Sequence, residues 1–284
     1  MFENVLVGVD GRPNGRDAIA LAGRLVDPGG RLTLAHVHRG EVAEEREGSL
    51  ELLERERAAS GVEAELVSVA SARPGRGLHE QAEELDADLL VVGSCSRGVL
   101  GRAMLGDDTR AALDGAPCAV AVATRGYAEH PAPVANVGVA YNGSPESIAA
   151  LDAARELAAR TRATVRALEV VSIPSVAYTG IVAPALGQTI EAMTQEASAR
   201  MSKLPGVEGR AVYGLPGEEL AAFGDELDLL VVGSRGYGPV RRLVLGSTSD
   251  FLQRHARCPL LVLPRHPAGE REHDGEPVAS ATSV

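Results

Sequence analysis

The sequence predicts an α/β fold built from two tandem, doubly wound parallel sheets of five strands each. Three observations support this prediction. The length of 284 residues suits two domains, one sequence pattern occurs twice, and short apolar runs alternate with segments of helical periodicity. Parallel neighbours in a sheet require crossover connections, and the helical segments supply them.

Ten short apolar runs have the composition of strands that are buried on both faces. They are rich in Val, Leu and Ala and lack a strict alternation of polar and apolar residues. In the first half they span residues 5–9, 32–37, 64–69, 89–92 and 119–123, and in the second half they lie near residues 137–141, 164–171, 209–213, 229–232 and 259–263.

The segments between these runs carry helix-forming residues with charges at helical spacing. In the first half the predicted helices cover residues 15–26, 47–60, 75–85 and 108–114. The second half repeats the order of elements, so we expect two small α/β domains.

The repeat is clearest around a Val-Val-Gly segment that ends the fourth predicted strand of each half. The pairs at an offset of 140 residues are Gly93 with Gly233, Gly106 with Gly246, and Cys118 with Cys258. Near the start of each half, VGVDG at 7–11 corresponds to VAYNG at 139–143, at an offset of 132 residues. The offset grows to 140 further along, so the second half carries extra residues between this segment and its Val-Val-Gly segment.

The uncharged stretch at residues 170–190 is the expected place for the extra residues, and we assign the insertion to residues 172–188. Pro184 and Gly187 are among its helix-breaking residues, so we interpret it as a loop rather than a membrane span. The role of this insertion stays open.

Composition divides the rest of the chain into domains, a linker and a tail. The first domain is expected over residues 1–125 and the second over 134–265, with a Gly- and Pro-containing linker at 124–135. The polar residues 266–284 are expected to be disordered.

Charge and cysteine content exclude several classes of function. The net charge is −11 and aromatic residues make up 3%, which argues against a surface for nucleic acid or anionic membranes. The three cysteines form no Cys-x-x-Cys pair, so neither a disulfide framework nor a thiolate zinc site is indicated. No signal peptide is visible, and we expect a cytoplasmic protein.

A ligand crevice is expected where the strand order of each sheet reverses, beyond the carboxyl ends of the strands. Asp10 and Asn142 follow the first strands, whereas Gly93 and Gly233 end the fourth strands and open glycine-rich loops. If the first and fourth strands are neighbours, each half brings these two features to one crevice.

The second of these loops has the features of a phosphate site without a lysine. Its order is Gly233, Ser, Arg235, Gly236, nine further residues, Gly246, and then the hydroxyl pair Ser247 and Thr248 at the start of a predicted helix. Glycines allow close approach of a ligand to the backbone, and a helix N-terminus offers N–H donors and the positive end of the helix dipole.

This pattern resembles the universal stress proteins in their tandem, two-domain form. The family pattern of Gly, two residues, Gly, nine residues, Gly and Ser or Thr is complete here at Gly233, Gly236, Gly246 and Ser247, and Asp10 stands in a matching Val-Asp-Gly segment. The resemblance covers residues 2–265.

The resemblance implies a Rossmann-like sheet with the strand order 3-2-1-4-5, an ATP or AMP ligand with or without Mg²⁺, and a role in the stress response. It also implies that the backbone near Val37 and Val170 contacts adenine. Finally, it implies that the last strands join the two halves as an internal pseudo-dimer, and a homodimer of whole chains stays open.

The first half departs from the family pattern at Ser96, which replaces the second glycine, and at Asp107, which replaces the serine after Gly106. Two like charges about 4 Å apart repel by about 4 kcal/mol at an effective dielectric constant of about 20. We therefore expect poor triphosphate binding there, and Asp10, Gly93 and Gly106 are secondary candidates. As an alternative, Asp107 is the N-cap of the next helix.

The second half departs from the pattern at Asn142, where the family has Asp. Its amide oxygen can accept a hydrogen bond from a nucleotide, but without charge assistance. An alternative that is compatible with binding is a turn at Asn142, with Ser144 capping the next helix.

Three further signals keep a structural alternative beside the functional one. His36 and His38 could point to one face as metal ligands, although packed histidines are the expected alternative and no metal is predicted. Cys95 could be a reactive thiol or an inert small residue. Arg235, together with Arg241 and Arg242, could screen phosphate charge or form a solvated loop face.

The leading hypothesis is a nucleotide-binding regulatory protein that holds its ligand mainly in the second half and has little or no catalysis. No residue pattern supplies the groups that efficient phosphoryl transfer uses. A slow ATP hydrolase is the enzyme alternative, and a nucleotide-free interaction scaffold is the third hypothesis.

Overall fold

The computed structural model describes residues 1–40, 42–94, 107–131, 133–172, 183–234 and 243–264. The first half contains β1 (Asn4–Gly8), α1 (Pro13–Leu25), β2 (Arg31–His38), α2 (Ala43–Ser60), β3 (Glu65–Ala70), α3 (Pro74–Glu84), β4 (Leu89–Gly93), α4 (Asp107–Leu113) and β5 (Ala119–Ala123). The second half contains β6 (Asn136–Ala140), α5 (Pro145–Thr161), β7 (Thr164–Val171), α6 (Ala183–Met201), β8 (Glu208–Tyr213), α7 (Pro216–Phe223), a short 3-10 helix (Gly224–Glu226), β9 (Leu229–Gly233), α8 (Ser247–His255) and β10 (Leu260–Leu263).

All ten strands form one continuous sheet in the order β3-β2-β1-β4-β5-β10-β9-β6-β7-β8. Within each half the strands are parallel and follow the order 3-2-1-4-5, which confirms the predicted fold class. The halves meet through the antiparallel pair β5 and β10, with Val122 opposite Leu260. The two predicted sheets are therefore the two parallel blocks of a single larger sheet.

Helices cover both faces of this sheet, and each face has its own apolar core. On one face, residues of α1, α2, α5 and α6 pack on strand residues such as Val5 and Val91. On the other face, residues of α3, α4, α7 and α8 pack on the alternate strand residues such as Leu6 and Leu90. Successive side chains of a strand point to opposite faces, so the uninterrupted apolar runs supply both cores.

In each half, the aspartate that precedes the fourth strand accepts backbone hydrogen bonds from the start of the first strand. Asp88 Oδ2 accepts the backbone N–H groups of Glu3 and Asn4 at 2.6 and 3.2 Å. Asp228 Oδ2 accepts those of Ala135 and Asn136 at 3.0 and 2.7 Å. These two aspartates are a structural counterpart of the sequence repeat.

The loop interpretation of residues 170–190 is wrong at both ends. Strand β7 continues to Val171, and α6 already begins at Ala183. Proline is tolerated at the second position of a helix because that N–H needs no intrahelical partner, so Pro184 does not prevent this start. The extra residues lie between β7 and α6, which are separated by eleven residues, whereas β2 and α2 are separated by four.

Helix boundaries are otherwise close to the predicted ones, except that α2 begins at Ala43, four residues early. Glu44 and Glu45 lie in its first turn, where carboxylates interact favourably with the helix dipole. Among the residues that the structure describes, no helix combines the length with the apolar composition that a membrane crossing requires. The predicted disordered tail lies outside the described residues.

Candidate functional site

A cleft of about 680 Å³ opens beyond the carboxyl ends of the central strands in the second half. It lies where β6 separates β7 from β9, which is the point of strand-order reversal. Six residues proposed from the sequence line it together: Asn142, Val170, Gly233, Gly246, Ser247 and Thr248. The two other second-half candidates, Arg235 and Gly236, lie outside the described residues, as do Arg241 and Arg242.

Other residues that line the cleft were not singled out from the sequence. They include the carboxylate Glu146, the hydroxyls of Ser147, Ser234 and Ser249, and the apolar side chains Leu168, Leu220 and Val232. The first turn of a helix that follows a central strand faces the same crevice as the strand end, and this rule could have found Glu146 and Ser147. Leu220 comes from α7, and no local signal in the sequence marks it.

Asn142 forms the turn that was its predicted structural alternative. Its Oδ1 accepts the backbone N–H of Ser144 at 3.0 Å, and Ser144 Oγ accepts the N–H of Ser147 at 3.2 Å as the N-cap of α5. Gly143 between them has φ of +76°. Because a carbonyl oxygen has two lone pairs, the exposed Asn142 can still accept a second hydrogen bond from a ligand.

Gly233 has a packing role that accounts for its glycine. A Cβ at this position would lie 2.7 Å from both the carbonyl oxygen and the Cβ of Glu146, in the first turn of α5. Gly93 meets the carbonyl group of Asn14 in the first turn of α1 in the same way. Close helix-to-strand packing therefore requires glycine in both halves, whereas the sequence suggested that a ligand approaches there.

The N-terminus of α8 lies at the cleft and has nine helical residues behind it. Gly246 is its N-cap, and the backbone N–H of Gly246 donates to Ser249 Oγ at 2.9 Å. The first N–H groups of a helix have no intrahelical acceptor, and those of Ser247 and Thr248 belong to this group. Two further donors come from the side-chain hydroxyls of the same two residues.

Ser234 adds a further polar group to this part of the cleft. Its side chain is buried, with 5% of the residue exposed, and its Oγ has no hydrogen-bond partner in the described part of the structure. Buried hydroxyls are normally hydrogen-bonded. The unpartnered Oγ therefore favours a ligand or an ordered water at this position.

The charge of the cleft comes from few groups. Glu146 contributes a carboxylate, and none of the described lining residues is Lys, Arg or His. Asp250 in the first turn of α8 pairs with Arg254, and Arg110 of the first half lies 3.9 Å away from it. The positive potential available from described groups is thus that of helix N-termini, those of α8 and α5 among them.

In the first half Asp10 forms the same kind of turn. Its Oδ1 accepts the backbone N–H of Arg12 at 3.1 Å, and Arg12 Nη1 lies 3.8 Å from Oδ2. Helix α4 begins at Asp107 itself, so Asp107 is the first helical residue and not the N-cap. Gly106, Cys95 and Ser96 lie outside the described residues.

The two histidines of β2 are packed among hydroxyl groups. His36 Nδ1 lies 3.0 Å from Ser49 Oγ, and His38 Nε2 lies 2.9 Å from Ser68 Oγ. Burial, with a smaller effect from His38, lowers the pKa of His36, although Asp10 acts in the opposite direction. Within the described ranges no three His, Cys, Asp or Glu side chains come together as a metal site.

The model of the universal stress protein family matches residues 1–124 and, a second time, residues 134–264. The chain belongs to the universal stress protein family. A universal stress protein of Mycobacterium tuberculosis is 26% identical over 223 residues, which cover 73% of this chain and 75% of the relative. A second one from the same organism is 31% identical over 188 residues, or 62% of each chain.

Solved structures of the family have the same fold. The crystal structure of a universal stress protein from Archaeoglobus fulgidus superimposes with a TM-score of 0.63 at 19% sequence identity, covering 93% of this chain and 98% of the other. At this identity the similarity concerns the fold. The tandem arrangement and the strand order of this chain are thus those of a universal stress protein.

Proposed function

We propose that this universal stress protein binds an adenine nucleotide, ATP or AMP, in the second-half cleft and uses it as a regulatory ligand with little or no catalysis. The observation that carries the proposal is the convergence of Asn142, Val170, Gly233 and the start of α8 on one cleft at the strand-order reversal. Open α/β sheets bind their ligands at this point.

The lining of the cleft contains groups that suit both parts of a nucleotide. Leu168, Leu220 and Val232 provide an apolar wall of the kind that a nucleobase requires. The N-terminus of α8 and the hydroxyls of Ser234 and Ser247 provide donors for phosphate oxygens. The buried Ser234 Oγ, which has no hydrogen-bond partner in the described structure, is the group that most directly supports a bound ligand.

The sparse positive charge makes a divalent cation part of the proposal. The triphosphate of ATP meets no described Lys or Arg side chain among the lining residues, and Glu146 adds a negative charge. Mg²⁺ would offset the phosphate charge, and the carboxylate oxygens of Glu146 are ligands of the kind that this ion prefers. We therefore propose that the affinity for ATP depends more strongly on Mg²⁺ than the affinity for AMP does.

The test is calorimetry with the full chain, ATP or AMP, and Mg²⁺ present or absent. Ser247→Asp places a carboxylate at the start of α8, and we expect at least about a tenfold loss of affinity because like charges repel there. Gly246→Val, which adds a side chain at the cleft, is expected to abolish binding. Asp10→Ala is the control in the first half and is expected to change the affinity less than about twofold.

Two outcomes would contradict this proposal. If Asp10→Ala abolishes binding while Ser247→Asp does not, the nucleotide site lies in the first half. If no nucleotide binds at millimolar concentration and none is released on denaturing the purified protein, the hypothesis of a nucleotide-free interaction scaffold takes its place.

One observation favours slow ATP hydrolysis as a second candidate function. The carboxylate of Glu146 lines the cleft, and a carboxylate is one of the side chains that can act as a general base. Loss of ATP turnover in Glu146→Gln, measured with the variant saturated with ATP and Mg²⁺, would support this candidate. Turnover below about one per minute in the wild type would instead favour the regulatory proposal.

We further propose a cytoplasmic location and no nucleic-acid or membrane partner. Cys118 and Cys258 are free thiols, which suits a reducing compartment, and the net charge of −11 argues against polyanionic partners. Sedimentation of the purified chain tests whether it forms a homodimer.

A further inference from the structure

Two backbone hydrogen bonds cross from the first half to the segment that leads into α8. The N–H of Gly115 donates to the carbonyl oxygen of Leu243 at 2.9 Å, and the N–H of Leu243 donates to the carbonyl oxygen of Ala116 at 2.9 Å. Gly246, the N-cap of α8, follows only three residues later. The chain that enters the cleft is thus attached to the other half of the molecule.

Side chains strengthen this attachment. Leu243 is fully buried and belongs to the same apolar cluster as Leu113 and Ala116 of the first half and Leu252 of α8. A shared apolar cluster of this kind holds the two segments in one packing arrangement.

Gly115 is the residue that gives the first-half turn its shape. It has φ of +89°, in the left-handed region that side chains with a Cβ rarely adopt. A Cβ there would find ordinary space, since the nearest atom outside the adjacent residues is His79 Cε1 at 3.7 Å. The conformation, and not the available volume, therefore requires glycine.

We propose that the turn at residues 114–116 is a positioning element for the ligand site of the other half. By holding Leu243 it orients the first N–H groups of α8 before a ligand arrives, and such preorganisation raises affinity. The inference rests on the nucleotide-binding function proposed above. It gives the first half, whose own phosphate loop departs from the family pattern, a role in binding by the second.

The test compares Gly115→Ala with Gly29→Ala. Gly29 lies in the same half with φ of +84° and has open space around a Cβ, so both variants carry similar backbone strain, but only Gly115 bonds to Leu243. We expect the Kd for ATP to rise about fivefold in Gly115→Ala and to stay within about twofold of the wild type in Gly29→Ala. Gly115→Asn should recover much of the affinity, because asparagine tolerates the left-handed region.

A second measurement does not depend on the nucleotide. The Leu243 amide should be protected from hydrogen exchange in the wild type and in Gly29→Ala, and should exchange about tenfold faster in Gly115→Ala. If the wild type binds ATP and Gly115→Ala binds it equally well, the inference is wrong and the proposed function stands. An unprotected Leu243 amide in the wild type also overturns the inference.

If the wild type binds no nucleotide, the proposed function fails, and the claim about affinity fails with it. The exchange measurement then still decides whether the contact between the halves exists. The two failures are therefore distinguishable.

Discussion

Gly233 ends β9 at the place where the first turn of α5 crosses the sheet, and the missing side chain lets the two backbones come together. Ser234, the next residue, is buried and carries a hydroxyl without a described partner. Gly233 thus allows close packing of α5 on the sheet, whereas Ser234 contributes a hydroxyl to the lining of the cleft. The same residue types at Gly93 and Ser94 in the first half show that the packing task is independent of the phosphate loop.

At the residue scale, Gly233→Ala is expected to destabilise the protein by about 1–3 kcal/mol, because the new Cβ overlaps Glu146 and forces a backbone shift. The measurement is the free energy of unfolding in urea. Gly187→Ala is the matched control: Gly187 lies in α6 with open space around it, so the same change should stabilise the protein by about 0.5–1 kcal/mol. Equal effects of the two substitutions would contradict the proposed packing.

Cys118 and Cys258 allow a second prediction at this scale. Burial raises the pKa of each thiol to about 12, so at pH 8 the thiolate fraction in the folded state is about 10⁻⁴. We expect neither residue to react with iodoacetamide in the native protein, and both to react once urea unfolds it. Peptide mass spectrometry measures the modification, and fast native alkylation of either cysteine would contradict the buried environment.

The alternation of strands and helices was predictable because each element depends on local periodicity. Boundaries moved where end effects compete with periodicity, as at α2, which Glu44 and Glu45 extend toward its N-terminus. Helix α6 was missed at its start because proline and glycine were taken as breakers, although a first turn tolerates Pro184. Element types are therefore better determined by sequence than element ends.

At the element scale, Asp228→Ala should leave the N–H groups of Ala135 and Asn136 without their acceptor. Ala135 is exposed and Asn136 is half-buried, but hydrogen bonds to a carboxylate are stronger than neutral ones, so we expect a loss of about 1–3 kcal/mol in unfolding free energy. Asp225→Ala is the control, because Asp225 pairs with Arg257 at an exposed position and should contribute less than about 1 kcal/mol. A loss for Asp225→Ala as large as that for Asp228→Ala would show that the loss is not specific to the start of β6.

On the scale of the whole molecule, two halves share one sheet and are also tied by contacts away from β5 and β10. Arg160 of α5 donates to the carbonyl oxygen of Leu25 at 2.7 Å and pairs with Asp27. Leu243 meets the turn after α4 on the other face of the sheet. The two halves therefore contact each other on both faces of the shared sheet.

Arg160→Ala should therefore destabilise the whole chain by about 1–3 kcal/mol, since it removes a half-buried cation that bonds across the halves. In the described part of the structure Arg155, on the same helix, bonds to Asp152 and Pro205 of its own half. We expect Arg155→Ala to lower the unfolding free energy by less than about 1 kcal/mol. Urea unfolding of the two variants makes the comparison. Equal losses of unfolding free energy would show that the contact between the halves does not stabilise the chain more than a contact within one half.

The sequence by itself determined the repetition, the order of strands and helices along the chain, and six of the residues that line the described cleft: five at strand ends and at the start of α8, and Val170 through the resemblance to the family. These features follow from local periodicity, and strand ends in a parallel sheet necessarily share an edge. Only the tertiary structure decided that Leu220 joins the cleft, that Glu146 is the reason for Gly233, and that Gly115 bonds to Leu243. Gly115 and Leu243 are 128 residues apart, and such contacts depend on how folded elements pack, which no local pattern of residue types encodes.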